Sequence, residues 1–120
     1  LKNIIKPEVN LILHCLFEDK IDKNIFTNLD FKIITQMASS HLMLPSLFTN
    51  ARRKNILKLF PDEFASYLKE IYNLNLNRNM KLIEEVKHLS YMLNNYKINH
   101  VFLKGTANIF TDIYEDLGER

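Results

Sequence analysis

Apolar residues recur along most of this chain at the three-and-four spacing of amphipathic helices. Val9, Ile12, Leu13, Leu16 and Phe17 form a first stripe behind Pro7, which suits an opening helical turn because the N–H it lacks is not needed there; Glu18, Asp19 and Lys20 close that helix. A second stripe, Ile33, Ile34, Met37, Ala38 and His41, follows Thr27 and Asp30, a pair with the spacing of a capping box in which Asp stands for the usual Glu. With no acidic partner near it in sequence, His41 is expected to lie against the core rather than to act as a base. Pro45 opens a third, shorter helix that turns Leu47, Phe48 and Ala51 inward and Arg52, Arg53 and Lys54 toward water.

Pro61-Asp62-Glu63 is a stronger start, with two carboxylates at the positive end of the helix dipole. The segment behind it runs helically to about Asn95. Phe64, Leu68 and Ile71 make one stripe, Met80, Ile83, Val86, Leu89 and Leu93 another, and Lys81 with Glu85 can pair across one turn. Between the stripes Asn73, Asn75, Asn77 and Asn79 lower helix propensity, so a kink or a join of two helices is predicted there.

After residue 99 the pattern changes. Val101, Phe102 and Leu103 are a short apolar run suited to a buried strand, with Lys104 at its end; Gly105 allows a backbone angle or a close approach that a side chain forbids. Thr106 can cap a following helix whose face carries Ile109, Phe110, Ile113, Tyr114 and Leu117. A lone strand leaves its backbone groups unpaired, so its partner is expected outside these residues.

Composition narrows the class. A length of 120 residues with 47% apolar and 25% charged content fits one globular domain or part of one, and two glycines with three prolines leave little for hairpins, so the fold is mainly α. A net charge of +2 does not argue for nucleic acid, and the Arg52-Arg53-Lys54 cluster with Lys58 lacks interleaved aromatics, so it reads as a solvated helix face. Cys15 has no partner for a disulfide, no Cys/His set has zinc spacing, and His14 beside it points about 100° away on a helix, which makes no nucleophile–base pair. A reducing, cytoplasmic setting follows. No apolar run has the length of a membrane span and no secretory signal opens the chain; its start at Leu1 points to a trimmed beginning.

Lys104-Gly105-Thr106 lacks the Gly-x-x-x-x-Gly spacing of a Walker A loop, but a helix start opened by glycine suits phosphate. Asn75, Arg78 and Asn79 share a helical face, and the Arg78 guanidinium there can hold phosphate with two donors; the alternative is a purely structural break. Asp112, Glu115, Asp116 and Glu119 have no histidine or second acidic strand to complete a metal shell, and read as a solvated helix end.

Leu103-Lys104-Gly105-Thr106, the helix ending near Tyr114 and then Leu117-Gly118-Glu119-Arg120 resemble the entry to the catalytic core in a family of uncharacterised bacterial nucleotidyltransferases. That family belongs to the DNA polymerase β-type superfamily, with the aminoglycoside nucleotidyltransferases. The resemblance extends upstream to about Asn28 through His41, Pro45 and the segment after Pro61. In the family a hydrophobic-Gly-Gly/Ser turn and a helix precede a second strand, whose Asp-x-Asp carboxylates hold divalent metals, and an arginine matching Arg120 stands shortly before that pair. Thr106 differs from the Gly, Ser or Ala usual at its position.

The resemblance implies a helical bundle over residues 1–98 leading into the first strand and helix of an α/β nucleotidyltransferase core at 99–120. It further implies magnesium-dependent transfer of a nucleotidyl group from an NTP to an acceptor, with Gly105, Thr106, Lys104 and Arg120 on the nucleotide; Arg78, from the face it shares with Asn75 and Asn79, is the further candidate. The metal-binding carboxylates would follow Arg120, so residues 1–120 alone are expected to be inactive. A non-enzymatic helical interaction module fits the periodicity equally well; an Asp-x-Asp soon after Arg120 distinguishes the two.

Overall fold

A computed structural model describes residues 5–111 and 113–120, and is mainly helical, with no strand among the described residues. Five helices follow one another: α1 (Pro7–Phe17), α2 (Phe31–Ser40), α3 (Leu44–Arg53), α4 (Asp62–Asn95) and α5 (Lys104–Ile109), with single 3₁₀ turns at Lys23–Phe26 and Leu57–Leu59. The chain divides into two compact units, Leu1–Tyr72 and Asn73–Arg120, so the boundary falls within α4.

In the first unit α1, α2 and α3 pack against one another. Leu11, Cys15, Ile34, Ala38, Leu47 and Ala51, all fully buried, form the centre of this core; the buried face of α1 is therefore Leu11, Ile12 and Cys15 rather than the stripe read from the sequence, of which Leu13 and Phe17 are exposed. Rings close one side of this core: Phe31 lies 5.0 Å from Phe64 and Phe60 lies 5.3 Å from Phe64, centroid to centroid, in the inclined arrangements that suit the aromatic quadrupole. As expected from Pro7 and Pro45, each proline stands in the first turn of its helix.

The α2 start differs from the predicted capping box. Asp30 is itself the N-cap, its carboxylate accepting from the Lys32 amide at 2.8 Å, while the Thr27 hydroxyl is turned back onto the Asn24 carbonyl of the preceding 3₁₀ turn. The bond that a Glu within α2 would return to the cap amide comes instead from buried Glu8 on α1, which accepts from the Asp30 N–H at 3.1 Å. His41 is the exposed C-cap of α2, not a core residue, because the helix ends one position before it. Lys54 does not simply face water. Its ammonium donates to the Cys15 carbonyl at 2.6 Å and lies 3.4 Å from that of His14, compensating the negative end of α1.

Three helices end in the same way without glycine. Leu42, Asn55 and Lys97 take φ near +57°, +56° and +56°, and the next residue in each case donates back five positions, Met43 to Ala38 at 2.7 Å, Ile56 to Ala51 and Ile98 to Leu93 at 2.9 Å. These are Schellman closures after α2, α3 and α4, built from side chains that disfavour the left-handed region.

The second unit holds the rest of α4, the return at 96–103, α5 and a turn at 116–119. One helix runs through the asparagines at 73–79, so two helices are not joined there. Asparagine weakens helices by bonding its own backbone, and here the amides of Asn75 and Asn79 are engaged with carbonyls of residues 117–120 instead. The strand expected at 101–103 is not formed either. Val101 and Leu103 are exposed, since a strand needs a partner ladder and none of the described residues supplies one. The helix that follows starts at Lys104, with Leu103 as N-cap, so Thr106 sits inside its first turn rather than at the cap, and it ends at Ile109 rather than reaching Leu117.

Candidate functional site

The second unit gathers most of the residues that the sequence marks for phosphate. Gly105 lies in the first turn of α5, and its φ is not positive; the left-handed angle belongs to Lys104, at φ 54°. What Gly105 provides is close approach. A Cβ placed there would meet the Arg120 guanidinium, colliding with Nη2 and standing 3.3 Å from Cζ.

Arg120 in turn lines an open groove of about 460 Å³ with Arg78, Lys81, Leu82 and Glu85. Three of the lining side chains are cations and one is a carboxylate, which leaves the groove net positive. Arg78, Lys81, Leu82 and Glu85 all project from α4, where residues three and four apart share a face. Arg78 and Arg120, far apart in sequence, are thus brought to one groove, and Gly105 to Arg120. Lys104 is exposed and Thr106 half-buried, and neither lines the groove.

The turn carrying Arg120 is built locally by Asp116, whose carboxylate accepts from the Gly118 amide at 2.9 Å and whose carbonyl accepts from the Glu119 amide at 3.0 Å. Asp116 is therefore a turn former rather than part of a solvated helix end. Asp112, grouped with it in sequence, lies outside the described residues. Asn79, fully buried, donates to the Leu117 carbonyl at 2.8 Å, and Asn75 donates to the Gly118 carbonyl at 2.8 Å and to that of Arg120. This clamp went unread in the sequence, although the one-turn spacing of Asn75 and Asn79 is its signal. Unforeseen too is the pairing of Ser90 with His100. The ring Nδ1–H donates to the Ile98 carbonyl at 3.1 Å, which leaves Nε2 to accept from the Ser90 hydroxyl at 2.8 Å and ties the return at 96–103 to α4.

Elsewhere the chemistry is thinner. A groove of about 720 Å³ in the first unit, walled by Phe31, Pro61, Phe64 and Tyr67, sets the single cation Lys32 beside Asp30 and Glu63, a balance that does not favour an anion. Arg52 lies over the rings of Phe48 and Tyr72, 5.3 Å and 5.0 Å from their centroids, where its charge meets the ring faces. Cys15 is a buried free thiol, pushed up to about 11 by desolvation against the opposing Lys54 ammonium, so it is no nucleophile near neutral pH. Among the described residues no group of three or more His, Cys, Asp or Glu side chains can hold a metal ion, and no helix is long and apolar enough to cross a membrane.

A family model described as uncharacterised nucleotidyltransferase matches residues 27–120, and the chain belongs to that family. No curated protein and no solved structure matches it.

Proposed function

We propose that this chain is the N-terminal part of a metal-dependent nucleotidyltransferase of the DNA polymerase β type, and that its second unit receives the phosphates of an NTP. The observation that carries this reading is the meeting of Arg78, Lys81 and Arg120 on one groove, with the Gly105 backbone set against the Arg120 guanidinium. Membership of the nucleotidyltransferase family supports the same chemistry.

In this reading the two guanidiniums bind phosphate oxygens in pairs and Lys81 adds a point charge, orienting the triphosphate and stabilising the charge that grows on departing pyrophosphate. Gly105 leaves room for the Arg120 guanidinium, and Lys104 and Thr106, its neighbours in α5 outside the groove, are proposed as further donors. Magnesium is the ion such a transfer uses. The described residues do not make a site for it, so its ligands are proposed to be the Asp-x-Asp pair expected after Arg120. A cytoplasmic setting belongs to the same proposal, and the free thiol of Cys15 is in keeping with it.

The test is transfer of label from α-phosphate-labelled NTPs, with magnesium, by the protein expressed from its whole reading frame. Label should pass to an acceptor in a cell extract and should fall by an order of magnitude or more in Arg120→Ala, as loss of a charged phosphate contact entails. Transfer undiminished in that variant would remove this groove from the reaction.

A further inference from the structure

Buried asparagine in the middle of a helix is costly unless its amide is fully used, and an apolar residue would fill the same space without that demand. Asn79 is fully buried on α4, and its side chain bonds to one stretch of chain: Nδ2 donates to the Leu117 carbonyl at 2.8 Å and to that of Arg120 at 3.4 Å, and Oδ1 accepts from the Arg120 guanidinium at 3.5 Å. Asn75, one turn earlier on the same face, donates to the Gly118 and Arg120 carbonyls. Two side chains of α4 thus hold the backbone of the 117–120 turn, and one of them also touches the Arg120 side chain.

We infer that Asn79, seconded by Asn75, is a positioning residue for phosphate recognition: it fixes the Arg120 guanidinium at the edge of the groove where Arg78 and Lys81 already stand. The inference rests on the reading of that groove as a phosphate site. Its physical basis is entropic. A free arginine side chain loses much rotamer freedom on binding an anion, and one held beforehand loses less, so part of the affinity credited to Arg120 comes from Asn79.

A role in stability alone predicts something different, and a double-mutant cycle separates the two. The probe is inorganic tripolyphosphate, titrated calorimetrically into the protein and into Asn79→Ala, Arg120→Ala and the double variant, each checked for fold by circular dichroism. Expected are losses of about tenfold for Arg120→Ala and about fivefold for Asn79→Ala, with the double variant near tenfold rather than about fiftyfold, because Asn79 acts only through Arg120. Should Asn79→Ala fail to fold, Asn75→Ala, at a less buried position, carries the same cycle. A multiplicative double variant, or a folded Asn79→Ala that binds like the parent, overturns the positioning role while leaving the groove intact. If Arg120→Ala itself binds unchanged, the phosphate reading of the groove falls and the positioning role falls with it.

Discussion

Arg120 places its guanidinium where a side chain on Gly105 would stand, with Cζ 3.3 Å from the Cβ position. The obstacle to a larger residue is therefore the end of a flexible side chain, not backbone, and the Gly105 φ is one that any residue adopts.

Gly105→Ala should consequently leave the fold intact, and the gain in helix propensity within α5 is worth about 0.5–1 kcal/mol. The methyl group displaces Arg120 from its place beside the groove, so tripolyphosphate binding should weaken by several-fold. Thermal melting and calorimetry on one sample check both halves. Unaltered binding would show that the contact between the two residues has no part in recognition.

Leu42→Gly should stabilise the protein. Leu42 holds φ 57° after α2 and is 86% exposed, so glycine relieves the left-handed strain, about 1 kcal/mol, and gives up almost no packing. Urea unfolding should show a higher midpoint at unchanged slope; a lower midpoint would mean that the exposed leucine packs more than its exposure indicates.

Cys15 makes stability fall in alkali. Burial raises its thiol from 9.0 to about 11, so the folded protein holds that proton more tightly than the unfolded chain does. The stabilisation is complete below pH 9 and is lost as pH rises from 9 toward 11, by up to about 2–3 kcal/mol. Unfolding free energies of the parent and Cys15→Ala, taken at intervals across that window, should converge as pH rises, because the variant lacks this proton. Parallel curves would show that the thiol ionises alike in both states.

The helices of the first unit were legible because each has an apolar stripe, with a proline in the first turn of α1 and α3 and an aspartate cap before α2; Leu47, Phe48 and Ala51 lie where the spacing puts them, whereas in α1 the buried face is shifted and Leu13 and Phe17 are exposed. What local pattern could not show were effects decided by distant residues. Val101, Phe102 and Leu103 have strand composition, but a strand exists only with a ladder partner. The asparagines at 73–79 look like a break until Asn75 and Asn79 find carbonyls more than 35 residues away, and Glu8 completes the α2 cap from another helix. The Schellman closures were invisible because leucine, asparagine and lysine occupy positions where glycine is the usual mark. Of the candidate site, Gly105, Arg78 and Arg120 could be named from sequence, whereas their meeting, and the addition of Lys81, needed the fold.

The central claim is that the second unit holds an NTP by its phosphates through Arg78, Lys81 and Arg120. Calorimetric titration with a nonhydrolysable NTP and magnesium tests it most directly, comparing the parent with Arg78→Ala, Arg120→Ala and, as a control in the first unit, Lys58→Ala. Removing either groove arginine should weaken binding about tenfold or more, the worth of a charge-assisted phosphate contact, and Lys58→Ala should leave it unchanged. Folded Arg78→Ala and Arg120→Ala proteins that bind as tightly as the parent would contradict the claim.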